Sequence, residues 1–280
     1  MKKPLILAAA AACAMSMGAA TLCVGSPVEA ASADACHPVL SADGQSLLYT
    51  SADYTGLWLL DLSTGETTQI SDYSGAGFAP RFDGDGEVVL FRNEEKVDKL
   101  RARDVMSYDI ASGQARQLAP MSRQSVNLAD FAQDERVTAR SDYREIVVTS
   151  AGAETRISPV DNVYSYLWVS VSPNQQKLLF VEAHSGMCVC NLDGSALQRL
   201  GQGSYPTWLS DEWALFTRSS HDGHTITSSQ IMAVEIATGL TVEITPADSM
   251  AEDASGSLEA GKIAYSTPDG SLWVVEISLK

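Results

Sequence analysis

Basic residues are scarce in this sequence. Its 19 lysines and arginines stand against 35 aspartates and glutamates over 280 residues, a formal charge of −16. A nucleic-acid footprint is a basic patch that neutralises phosphates, so this balance excludes a phosphate backbone as ligand. If charge selects a partner at all, it selects a cationic one. Cysteine is also sparse: beyond Gly25 only Cys36, Cys188 and Cys190 remain, an odd number without zinc spacing. Cys188 and Cys190 lie one residue apart in the strand-like run MCVCNL and share a face, and all three read as buried thiols packing as small hydrophobes. No Gly-x-Ser-x-Gly elbow occurs, which excludes the commonest hydrolase nucleophile turn. Helical periodicity is missing from residue 37 onward.

Beyond the N-terminus there is no long charge-free run. Residues 4–25 form such a run, 22 residues long, behind Lys2 and Lys3, which is the layout of a secretory signal. Gly18-Ala19-Ala20 offers one cleavage site and Val28-Glu29-Ala30 a later one. The run is long enough to stay as a membrane anchor, but its alanine-rich composition favours cleavage. Neither Cys13, behind a run of alanines, nor Cys23, behind Ala-Thr-Leu, is a good lipid-attachment box, and of the two Cys13 stays open. The expectation is a leader over residues 1–20, a single domain over 26–280, and an exported product, periplasmic or otherwise associated with the cell envelope.

What the sequence has in quantity is a repeated strand pattern. YLWVSVSPNQQKLLF (166–180) is two alternating apolar runs around a tight turn, the signature of a hairpin. The same layout recurs in HPVLSADGQSLLYTS (37–51), FAPRFDGDGEVVLFR (78–92) and SYPTWLSDEWALFTR (204–218). VNLADFAQDERVTAR (126–140) is a weaker copy and residues 248–266 a stretched one. A second, more regular hairpin follows each: DLSTGETTQIS, DIASGQARQLA, TSAGAETRIS, NLDGSALQRLG and EIATGLTVEIT. Their turn glycines, Gly65, Gly113, Gly152, Gly194 and Gly239, are 48, 39, 42 and 45 residues apart. Four strands every forty-odd residues is the period of a β-propeller blade, and the 244 residues from His37 to Lys280 accommodate six.

Trp168-x-Ser-x-Ser-Pro-Asn-x-x-Lys-Leu-Leu-Phe, followed by an Asp-x-x-x-Gly turn and a Gln-Leu or Arg-Ile run, resembles the WD40-like repeat of the TolB-type six-bladed propellers. The resemblance covers residues 37–280. It implies an all-β, six-bladed propeller of four-stranded antiparallel blades, a fold used both by binding scaffolds and by non-catalytic domains of peptidases. TolB carries a separate domain before its propeller, whereas here the first blade follows the leader almost directly.

The sixth blade is short of a strand. KIAYS and SLWVVEIS supply its second and third strands, and the chain stops where the next glycine turn is due. An open ring leaves an unpaired edge, so residues 26–35 are expected to return as the outer strand.

Propeller geometry also sorts the loops. Turns between first and second and between third and fourth strands share one face, and here they are short. The second-to-third and inter-blade connections share the other face and are longer. Tyr54, Tyr73, Tyr143, Tyr164, Tyr166 and Tyr205 fall in or beside those connections, with His184, His221 and His224. Tyrosine offers large contact area at low entropic cost, so these nine residues are the candidate binding set; tyrosines capping strand ends would give the same pattern. His221 and His224, with Asp222 between them, could reach one metal ion, but zinc sites usually need a third protein ligand and Asp-Gly is itself a turn pair. DGDGE (83–87) opens like a calcium loop but lacks the full spacing of one, and it sits where a hairpin turn is expected. SADYTGLW and STPDGSLW only approach the turn of sialidase repeats. The reading is an exported, non-catalytic binding or scaffold protein, without cofactor or metal, monomeric, recognising a protein, peptide or glycan of the cell envelope. A glycan-processing enzyme with carboxylates in the central channel is the alternative. Convergence of two carboxylates, or of histidine and aspartate, in the channel mouth would separate the two.

Overall fold

The computed structural model describes residues 21–83, 86–124, 128–132 and 136–280. The expected leader, residues 1–20, lies outside the described residues.

The chain forms a six-bladed β-propeller. Blade one is β3 (Cys36–Leu40), β4 (Ser46–Thr50), β5 (Leu57–Asp61) and β6 (Thr67–Ser71), paired in that order. Blade two is β7 (Arg81–Asp83), β8 (Val88–Phe91), β10 (Leu100–Asp109) and β11 (Gln114–Ser122), with β9 (Glu94–Val97) folded onto the start of β10. Asp98 and Lys99 make the two-residue turn between β9 and β10 at φ of +51° and +68°, as the twist of a tight hairpin requires. Blade three has β12 (Thr138–Asp142), β13 (Glu145–Ser150) and β14 (Ala153–Ile157). Blade four is β15 (Tyr166–Val171), β16 (Lys177–Glu182), β17 (Gly186–Asn191) and β18 (Gln198–Gly201); blade five is β19 (Ser204–Trp208), β20 (Trp213–His221), β21 (Ile226–Glu235) and β22 (Thr241–Glu243).

In blade six, β23 (Glu252–Ser257), β24 (Lys262–Thr267) and β25 (Ser271–Leu279) are completed from the N-terminus. The closing strand comes in two pieces, β1 (Leu22–Val24) against the end of β25 and β2 (Val28–Ala31) against its start. Closure therefore begins upstream of the expected segment. Pro27 separates the two pieces, and Leu22, at 2 % exposure, enters the core beside Trp213, Ile263 and Val275.

Apolar clusters join blades one and two, three and four, four and five, five and six, and six and one, and the alternation of side chains along a strand sends successive residues to different neighbours. In β16, Leu178 and Phe180 join the cluster shared with blade three, while Leu179 and Val181 join the one shared with blade five. Cys188 and Cys190 point together toward blade three. Burial first, then the charges of Cys188 and Asp193, push the Cys190 thiol up to about 12. Cys36, Cys188 and Cys190 are free and buried, and Cys23 is buried as well.

The turns follow from composition. The five repeat glycines sit at φ between +67° and +84°, a region that costs other residues about 1–2 kcal/mol. Ser41 and Ser172 each donate to the acid or amide two residues on, Asp43 at 2.6 Å and Asn174 at 2.7 Å, and accept from the amides of Ser46 and Lys177 at 2.9 Å. That is why Ser-x-Asp and Ser-x-Asn recur between first and second strands. The weak copy at 126–140 departs from the plan: Leu128–Phe131 is a 3-10 helix, and Thr138–Asp142 pairs with β13 across a turn at Tyr143 and Arg144. This segment supplies a second strand and not an inner hairpin among the described residues.

Candidate binding site at the channel mouth

The inner strands share an irregularity. Where the first strand pairs with the second, the register slips between Cys36 and Val39, Leu167 and Ser170, Ser204 and Thr207, and Glu252 and Ser255. These are β-bulges, and each opens with a non-glycine residue at positive φ: His37 (+53°), Trp168 (+49°), Tyr205 (+51°) and Asp253 (+53°). Ala79, at +51°, stands just before β7 in blade two. Pro38, Pro80 and Pro206 follow three of the five, where a residue without an amide hydrogen leaves no ladder bond unmade. Bulky residues in the left-handed region cost on the order of 1–3 kcal/mol each. Here the cost is repeated around the loop-rich end of the channel.

The bulges bring their side chains together. His37 Nδ1 lies 2.6 Å from Asp253 Oδ2, joining blades one and six. Tyr54, itself at φ +62°, stacks on the His37 ring with centroids 4.2 Å apart, and Phe78 meets Tyr54 edge-on at 5.3 Å. The Arg92 guanidinium covers Phe78 at 5.6 Å from the ring centroid and donates to the Phe78 carbonyl. From blade five, Tyr205 shares with His37, Tyr54 and Asp253 a cavity of about 300 Å³, and its other side tilts against Trp168 at 4.5 Å. The result is an arc of aromatic faces running from Arg92 to Trp168, interrupted by one carboxylate.

The electrostatics of the mouth are acidic. Burial lowers the basicity of His37, but the hydrogen bond to Asp253 and that residue's charge outweigh it, and the Ala52 carbonyl adds a further acceptor, so the ring holds its proton above the ordinary range. Burial, then the neighbouring Asp253 charge, push Glu252 up, against the pull of His37. Tyr54 is raised by burial and by Asp253, and Cys36 by burial and then by Asp34, Asp253, Glu252 and Asp269. Four carboxylates thus act on Cys36, the residue before His37.

The candidate residues divide between places. Tyr54 and Tyr205 belong to the mouth. Tyr164 and His184 form a second group at the entry to blade four, meeting edge-on at 5.6 Å, and Tyr143 lies in the blade-three turn, where its carbonyl accepts from the Tyr166 amide. Tyr73 is exposed in the loop between blades one and two, where its carbonyl accepts from Gly56 and Ala76. Tyr166 is a correction. It is 1 % exposed, packs edge-on against Phe180 and accepts at its hydroxyl from the Val160 amide, so it is a core residue. His221 and His224 are exposed at the tip of the long β20–β21 hairpin, outside the mouth. There Asp222 accepts from the amides of His224 and Thr225, a turn-capping role. Among the described residues no three His, Cys, Asp or Glu side chains group as metal ligands; Gly84 and Asp85 of the DGDGE stretch lie outside those residues. His37, Phe78, Trp168 and Asp253 are the site residues that sequence reasoning misses. Aligning the first strands would have found three of them with Tyr205, since His37, Ala79, Trp168, Tyr205 and Asp253 share a column.

One face carries the recognition-type side chains. The aromatic residues among the exposed large apolar side chains are Tyr73, Phe78, Tyr143, Tyr164, Trp168 and Tyr205, and all lie at inter-blade connections, second-to-third turns or mouth bulges.

No protein-family model matches the chain, and no curated protein does. Among solved structures it is similar to TolB from Acinetobacter baumannii, at 15% identity and a TM-score of 0.54, over 79% of this chain and 58% of that one. The putative TolB from Agrobacterium tumefaciens matches at 14% identity and a TM-score of 0.51, over 88% of this chain and 90% of that one. A protein of unknown function from Bacteroides thetaiotaomicron matches at 11% identity and a TM-score of 0.56, over 90% and 72%. The chain thus spans less than two thirds of the Acinetobacter TolB. At these identities the likeness speaks to architecture: the chain is a six-bladed β-propeller with the fold that TolB shares with other propeller proteins.

Proposed function

We propose that this protein is an exported, non-catalytic binding module that receives a segment of a cell-envelope protein, peptide or glycan at the loop-rich mouth of its channel. The observation that carries the reading is the set of bulges at which His37, Trp168, Tyr205 and Asp253 take a costly left-handed backbone at one opening. Strain maintained at several equivalent positions is what a recognition surface built on a rigid scaffold looks like. Tyr54 and Phe78 extend the aromatic surface, and the second-to-third and inter-blade loops enlarge it. The test is capture from solubilised envelope by the tagged protein, comparing the Trp168→Ala, Tyr205→Ala double variant with the opposite-face variant Thr64→Ala. Loss of the captured component in the double variant alone supports the reading; equal capture by both refutes it.

The second reading, a glycan-processing enzyme, draws on the His37–Asp253 pair, a histidine oriented by a carboxylate. Binding is preferred because the ring is held protonated by acceptors and stacked under Tyr54, whereas a general base must offer a lone pair to substrate. Release of reducing ends from envelope polysaccharide, abolished by His37→Ala, would reverse the preference.

A further inference from the structure

The chemistry of the mouth narrows what it receives. Its cavity, about 300 Å³, is at the small end of ligand pockets and fits one long side chain more readily than a folded ligand. The rings of Tyr54 and Tyr205 line it, and Asp253 stands between them. Aromatic faces carry a negative quadrupole and attract cations, most strongly when a carboxylate shares the desolvated site. The carboxylate charges of Asp34, Glu252, Asp253 and Asp269 all act on Cys36, the residue before His37, and Asp253 itself pairs with His37 at 2.6 Å. At the outer end of the same arc the protein's own Arg92 already lies over Phe78, so a guanidinium is a partner that these rings accept.

We propose that the mouth is a receptor for a cationic side chain, and specifically for an arginine of a partner polypeptide. The planar guanidinium stacks on an aromatic face while donating to a carboxylate in the ring's plane, which an ammonium does less well. Tyr205 is the stacking platform, Asp253 the acceptor, and Tyr54 the opposite wall. His37 is a positioning residue: its ring takes one Asp253 oxygen and aims the other into the cavity. The inference rests on the reading of the mouth as a binding site, and it adds the chemical class of what enters.

The test titrates the protein with the acetylated, amidated tripeptide Gly-Arg-Gly and with its counterpart carrying citrulline, which keeps the shape of arginine and removes the charge. Amide and side-chain NMR signals of His37, Tyr54, Tyr205 and Asp253 report binding. The arginine peptide is expected to shift these signals saturably and to bind about tenfold tighter than the citrulline peptide. Asp253→Asn, which keeps the shape and one acceptor, should remove most of that difference while the melting temperature stays within a few degrees. Equal binding of the two peptides at the mouth would overturn the cation assignment and leave the binding site standing. No saturable shift with either peptide, a response mapped elsewhere on the surface, or a response to glucosamine in place of arginine would also overturn it. Envelope capture that ignores the mouth variants would instead remove the reading beneath it.

Discussion

Replacing Leu22 with alanine tests how the ring is closed. Leu22 is 2 % exposed and packs in the cluster containing Leu209, Trp213, Ile263, Val275 and Ile277. Its strand is held to β25 in the register Leu22↔Leu279, Cys23↔Ser278 and Val24↔Ile277, and Thr21 and Lys280 exchange backbone hydrogen bonds at 2.9 and 3.0 Å. Deleting most of a leucine side chain from such a place removes its transfer energy and leaves a cavity, about 2–5 kcal/mol in all. Domain stabilities are about 5–15 kcal/mol, so the effect is a large share of the total. The measurement is urea unfolding of the chain beginning at Thr21, with Val28→Ala as reference, because Val28 is 67% exposed although it lies in the same closing segment. The midpoint should fall for Leu22→Ala at unchanged slope and move by no more than about 0.5 kcal/mol for Val28→Ala. A Leu22→Ala cost under about 1 kcal/mol would mean that β1 does not contribute to the core and that closure by the N-terminus is wrong. The same geometry bears on processing. Cleavage after Ala20 leaves β1 and β2 whole, whereas cleavage after Ala30 would remove β1 and most of β2, so the earlier site is the proposed one.

Three further outcomes are expected. The His37 ring should titrate above the ordinary value of about 6.5 by NMR, and Asp253→Asn should bring it down, because burial then acts with less opposition. In stability terms a raised histidine contributes most below about pH 6.5 and loses that contribution as pH rises through the raised value, so melting temperatures of the wild type and His37→Ala should converge on the alkaline side. Gly152→Ala should cost about 1 kcal/mol through backbone conformation alone, since an added Cβ would meet nothing within 4 Å; a neutral result would contradict the turn geometry. Cys190, buried and pushed up to about 12, should react with a thiol reagent at pH 8 only at the rate of unfolding; immediate reaction in the native state would contradict its burial.

The repeat was legible because its turns obey local rules. Gly65, Gly113, Gly152, Gly194 and Gly239 all occupy the left-handed region that glycine tolerates. The Ser-x-Asp and Ser-x-Asn turns hydrogen-bond within themselves, so composition alone locates them. The mouth bulges break those rules. Their left-handed positions hold histidine, tryptophan, tyrosine and aspartate, of which histidine and aspartate alone are enriched there. A propensity argument reads such residues as ordinary strand. Tyr166 fails for another reason: it is the first residue of β15 and so close to the loop-rich face in sequence, but its side chain turns into the cluster with Phe180. Leu22–Val24 is an apolar triplet at the end of an apolar run, and nothing local separates a leader's tail from a short buried strand.

Site-specific photo-crosslinking in intact cells decides whether the channel mouth is where this protein meets its partner. A photoreactive phenylalanine analogue would replace Tyr205 at the mouth, Tyr164 on the same face, and Thr64 on the opposite one. A discrete adduct is expected from Tyr205, a weaker or absent one from Tyr164, and none from Thr64, with the Tyr205 adduct lost in the Trp168→Ala background. An adduct from Thr64 with none from Tyr205 would contradict it.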